Sequence, residues 1–148
     1  LAPSQLKKRL VSLGFEVFRT LADEVVIAER VRDNLILDSG VRIGALPSGS
    51  FRVRVVFRAQ RSDFPMEAES TIFDRVRSLA KIATDEERFV EAATRLQAVT
   101  DPSNPERTLD TFLELIVARD TGDLDEALEV LRTALRFDKA LTGYVTAP

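Results

Sequence analysis

The decapeptide Phe51-Arg-Val-Arg-Val-Val-Phe-Arg-Ala-Gln60 constrains the fold more than any other stretch of the chain. Phe51, Val53, Val55, Phe57 and Ala59 recur at every second position, and Arg52, Arg54 and Arg58 take alternate sites between them. Successive side chains of a strand point to opposite faces, so the pattern predicts a strand with one buried and one wet side. Upstream, from Phe15, β-branched and aromatic residues are broken by turn signals at Ala22-Asp23, Asp33-Asn34, Asp38-Ser39-Gly40 and Leu46-Pro47-Ser48-Gly49-Ser50. Three or four antiparallel strands are expected, over about 15–20, 24–31, 35–45 with an interruption, and 51–60. Ahead of them, Leu6, Leu10, Val11 and Leu13 fall on one helical face, with Ser4 suited to cap the helix and Gly14 to end it.

After Asp63-Phe64-Pro65 the periodicity turns helical. Ile72, Phe73, Val76, Leu79 and Ala80 make one stripe, over about 66–82, and Phe89, Ala92, Ala93, Leu96 and Val99 make another, over about 86–99. Thr84 and Glu87 have the spacing of a capping box. Residues Phe89 to Val99 also admit an extended reading, but Ala92 and Ala93 after the Thr84-Asp-Glu-Glu87 start favour helix. Asn104 and Pro105 then read as a cap and first helical residue, leading into the stripe Leu109, Phe112, Leu113, Ile116 and Val117. Asp123 caps a last helix with Leu124, Ala127, Leu128, Leu131, Ala134 and Leu135 on its apolar face.

A shift of about 35 residues lays Phe89 on Leu124, Ala92 on Ala127 and Leu96 on Leu131, which suggests two helical hairpins of similar build. Gly122, Ala127, Leu131 and Ala134 have the spacing of a tetratricopeptide repeat, and residues 109–137 resemble one. Leu115 and Lys139 depart from that family's pattern. The resemblance implies a helix pair whose small residues let the axes approach. Size, acidity, absence of cysteine and the order helix, strands, helix are also similar to class I type III secretion chaperones. That second resemblance implies two further strands near 82–99.

The expected fold is therefore α+β: an N-terminal helix and a small antiparallel sheet of three to four strands, followed by four helices in two hairpins. Residues 1–62 would form the sheet part and 63–148 the helical part, packed together as one compact unit.

Chemistry is limited by what the 148 residues lack. Histidine and cysteine are both absent, which removes the commonest general base, the commonest metal ligand, thiolate nucleophiles and disulfides. The acidic cluster Asp120, Asp123, Asp125 and Glu126 lacks the alternate ligand spacing of a calcium loop, and helix capping accounts for it. Gly44-Ala-Leu-Pro-Ser-Gly-Ser50 lacks the lysine of a phosphate loop. No catalytic residue, metal or cofactor is expected. The net charge of −3 disfavours a dedicated nucleic-acid binder.

Arg52, Arg54 and Arg58, with Arg61 and with Arg30, Arg32 and Arg42 from neighbouring segments, are the candidate anion or acidic-partner site. Glu16, Glu24 and Glu29 on adjacent strands offer the opposing reading, a solvated face laced by cross-strand ion pairs. The function expected is a non-catalytic protein-protein interaction module, adaptor or chaperone-like, taking a peptide or helix. A homodimer is compatible with it. The alternative is a ligand-sensing or nucleic-acid and anion-binding domain using the arginine face. No run is long enough to span a membrane, and the cytoplasm is the expected location. Opening on Leu1 rather than Met is compatible with a piece of a longer protein.

Overall fold

The computed structural model describes residues 1–143. Among them the elements run α1 (Pro3–Ser12), β1 (Val17–Thr20), β2 (Val25–Arg32), β3 (Leu35–Ala45), β4 (Phe51–Gln60), α2 (Glu69–Leu79), β5 (Val90–Asp101), β6 (Asn104–Thr121), α3 (Leu124–Leu135) and β7 (Ala140–Leu141). The strands make one sheet in the order β1-β2-β3-β4-β6-β5, and β7 pairs with β4. The ladders β1–β2, β2–β3 and β3–β4 are antiparallel, whereas β7 runs parallel to β4. The described residues divide into two compact units, residues 1–55 with 118–137, and residues 56–117 with 138–143.

In the first unit, α1 buries Leu6 and Leu10 and packs on β1, β2 and β3. Alternation on β4 behaves as its sequence requires: Phe51, Val53 and Val55 are buried and Arg52 is exposed. The Asp38-Ser39-Gly40 signal does not end β3. It makes a bulge, where the β2–β3 register shifts and the Ser39 hydroxyl donates to the Ile27 carbonyl at 2.6 Å while accepting from the Val41 N–H at 3.1 Å. Helix α3 forms as expected, its Asp123 carboxylate accepting from the Glu126 N–H at 2.8 Å. Its small residues Ala127 and Ala134 are fully buried, and α3 packs on strand β3. Close approach is thus to a sheet.

In the second unit, Ile72 and Val76 of α2 are buried, as are Phe57 and Ala59 of β4 and the consecutive residues Leu113 to Val117 of β6. β7 adds to β4 through the Arg58 N–H, which donates to the Lys139 carbonyl at 2.9 Å.

The α+β class stands, but the expected set of elements does not. Three helices, not five, occur among the described residues, and the sheet has seven strands in place of three or four. The helix expected over 86–99 is β5, and the one expected from Pro105 onward is β6. Asp101-Pro102-Ser103-Asn104 is a hairpin turn: the Asp101 carboxylate accepts from the Ser103 N–H at 2.9 Å and from its hydroxyl at 2.8 Å. Asx side chains and proline serve a hairpin turn as well as a helix start, so the same residues fit both readings. With 109–121 extended, the tetratricopeptide resemblance falls, and no pair of helical hairpins occupies 63–143.

Candidate functional site

Arg52 and Arg54 lie two residues apart on β4, in the first unit, and each is held by a carboxylate. The Arg52 Nε and Nη2 donate to the two oxygens of Asp120 at 2.7 and 3.0 Å. This fork holds the Asp120 carboxyl below its usual range, chiefly through the hydrogen bond from Arg52, with burial opposing. Arg54 donates through Nη2 to Glu24 at 2.7 Å, and its Nε is buried without a partner. Across the ladder Arg54 stands opposite Arg42, which donates through Nη2 to Asp38 at 2.9 Å and lies 4.0 Å from the same Glu24 oxygen. Arg30 grips Glu16 with two bonds of 2.8 and 2.6 Å.

Arg58 belongs to the second unit, where its guanidinium stacks 4.4 Å from the centre of the Phe112 ring. Arg61 donates to the Phe64 carbonyl. The row expected from the sequence is therefore split by chain position into Arg52 and Arg54 on one hand and Arg58 on the other. An anion arriving at Arg30, Arg42, Arg52 or Arg54 would have to displace a carboxylate already bound there.

A different feature stands out in the second unit. No residue of β5 is buried, although it is twelve residues long. β6 is likewise exposed from Asn104 to Leu109 and becomes buried from Leu113 to Val117 and again at Thr121. Together β5 and the first half of β6 form an arm with water on both faces. A lone two-stranded hairpin is at best marginally stable in water, so such an arm is suited to a partner.

The two faces differ in charge. Arg95 donates to Glu114, which is buried, so these side chains share one face. Alternation puts Glu91 and Asp101 with Arg95, and puts Val90, Ala92, Thr94, Leu96, Ala98 and Thr100 on the opposite side. That side carries no charge from β5. On β6, Leu109 alternates with Asp110, Phe112 and Glu114 and so shares the side of Leu113 and Leu115. An apolar surface thus begins in the core at Leu113 and Leu115 and runs out into solvent, where Leu96 and Leu109 are each 52% exposed and Val90 is 69% exposed.

Sequence reasoning missed this surface because it placed Leu96 and Leu109 on buried helical stripes. A signal was present: from Val90 to Thr100 apolar or small residues alternate with Glu91, Arg95 and Gln97 at period two. Among the described residues no cluster of carboxylates is arranged to hold a metal ion, and no helix is long and apolar enough to cross a membrane.

Compared with protein-family models, with curated proteins and with solved structures, the chain matches none of them, so neither resemblance read from the sequence, to tetratricopeptide repeats or to secretion chaperones, gives it a family.

Proposed function

We propose that the protein is a non-catalytic protein-interaction module, of adaptor or chaperone-like kind, that takes a partner polypeptide on the face of the β5–β6 arm that presents Leu96 and Leu109. The observation that carries this reading is the twelve-residue β5 without a single buried residue, next to exposed Leu109. Apolar side chains that continue a core into water favour a partner able to cover them. The composition supports the non-catalytic part of the reading, since histidine and cysteine are absent. It also fits a reducing compartment such as the cytoplasm.

The arginine face is the weaker candidate. Its best-placed guanidiniums, Arg52 and Arg54, already hold Asp120 and Glu24.

The test is affinity capture from native extract with wild type, Leu109→Asp and Arg52→Gln compared by partner recovery and far-UV circular dichroism. A stoichiometric protein retained by wild type and Arg52→Gln, and lost by folded Leu109→Asp, is the expected result. Retention by Leu109→Asp with loss through Arg52→Gln would favour the anion-binding alternative.

A further inference from the structure

We propose that β5 pairs edge to edge and antiparallel with β5 of a second copy, about a two-fold axis at Ala93. The inference rests on the arm as a contact surface, but on its edge and not on its face. β5 is the last strand of the sheet, and among the described residues no strand pairs with its outer side. Natural sheets blunt such edges with short strands, prolines or lysines. The opposite edge follows this rule, since β1 has four residues. β5 breaks it, with twelve residues and neither proline nor lysine.

The occupant follows from the side chains. A two-fold axis perpendicular to the sheet keeps each face on its own side, so paired residues have numbers of the same parity. With the axis at Ala93, Glu91 stands opposite Arg95 of the second copy, Val90 opposite Leu96 and Ala92 opposite Thr94. Both charge pairs are of opposite sign, and the two most exposed apolar residues of the strand meet each other.

Other axes do worse. At Arg95 the arginine would face its own copy, and at Leu96 Glu91 would face Asp101. At Ala98, Arg95 would meet Asp101, but the pairing would run into Pro102 and leave Val90 in water. Within one chain Arg77 holds Glu91 with bonds of 2.8 and 2.9 Å, and Arg95 holds Glu114. Pairing at Ala93 joins these into a run of alternating sign, Arg77, Glu91, then Arg95 and Glu114 of the second copy. It also sets the two faces that carry Leu96 and Leu109 side by side as one continuous surface.

The native chain has no cysteine, so an introduced one is the sole thiol. Directly opposed residues of an antiparallel pair have Cα atoms about 4.5–5.5 Å apart, within disulfide reach. Thr94 would face Ala92, leaving the two Thr94 positions more than about 7 Å apart and beyond that reach. Mild oxidation should convert Ala93→Cys to a covalent dimer of twice 16.5 kDa while Thr94→Cys stays uncrosslinked, and wild type should sediment as a dimer at high concentration. Equal crosslinking of the two variants, or a dimer that Ala93→Cys fails to trap, would overturn the pairing. A wild type that remains monomeric would also overturn it, even if Leu109→Asp still abolishes partner capture, which would leave the reading of the face intact.

Discussion

Arg42 and Arg54 stand directly opposite each other on β3 and β4, and Glu24, 7% exposed, lies against both. Two like charges in register repel, and here the arrangement holds because a single buried carboxylate lies against both, with Arg54 donating to it and Arg42 donating to Asp38. Glu24→Gln should therefore cost about 2–3 kcal/mol, below the usual figure for breaking a buried pair because Arg54 is partly solvated. Asp120→Asn breaks the exposed fork to Arg52 and should cost less than about 1 kcal/mol. Urea denaturation of the two variants checks the order, and an equal loss would show that Glu24 has no special place.

Acid should weaken the second unit through Asp110. Its carboxylate accepts from the Ser62 hydroxyl at 2.6 Å, the Gln60 amide at 2.6 Å and the Thr111 N–H at 2.8 Å, and these bonds, that from the Ser62 side chain foremost, hold its pKa below the ordinary 3.8 against the opposing effect of burial. A lowered folded-state pKa means that the folded protein binds fewer protons than the unfolded chain over that interval. The contribution is complete above the ordinary aspartate range and is lost as pH falls through the folded-state value. Denaturation midpoints should hold steady down to that range and then drop, and Asp110→Asn should make the drop shallower.

Gly44 and Gly122 should respond differently to alanine. A Cβ at Gly44 would come within 2.6 Å of the Asp23 carbonyl oxygen, whereas one at Gly122 meets nothing within 4 Å. Gly44→Ala should lose about 1–3 kcal/mol by forcing β3 away from the segment before β2, and Gly122→Ala should be nearly neutral. Thermal unfolding of both variants decides it, with the Gly122 result bearing also on why a turn glycine there signals no particular repeat.

The first sixty residues were legible because α1 keeps its apolar residues on one helical face and the strands after it are set off by turn signals, with β4 alternating at period two. β4 alternates buried and exposed as far as Val55, and β3 runs over 35–45 as its sequence suggests, with the Ser39 bulge as its interruption. The second half was misread for two physical reasons. Leu113, Glu114, Leu115, Ile116 and Val117 are buried on both faces of β6, and a doubly buried strand has no alternation to display, so its apolar residues mimic a helical stripe. In β5 the residues Ala92, Ala93 and Leu96 favour helix locally, and pairing with β6 overrides that preference. Arg52 and Arg54 stand between the buried positions of β4, and Glu24, which holds Arg54, was among the carboxylates visible in the sequence, but Asp120, which holds Arg52, lies on β6, whose placement depends on the whole sheet.

The apolar face of the arm is the centre of this account, and amide hydrogen exchange with and without the captured partner tests it most directly. Slower exchange from Val90 to Thr100 and around Leu109 in the complex is the predicted result, with the Arg52 and Arg54 amides unchanged. Protection confined to Arg52 and Arg54, with the arm exchanging as fast as in the free protein, would contradict it.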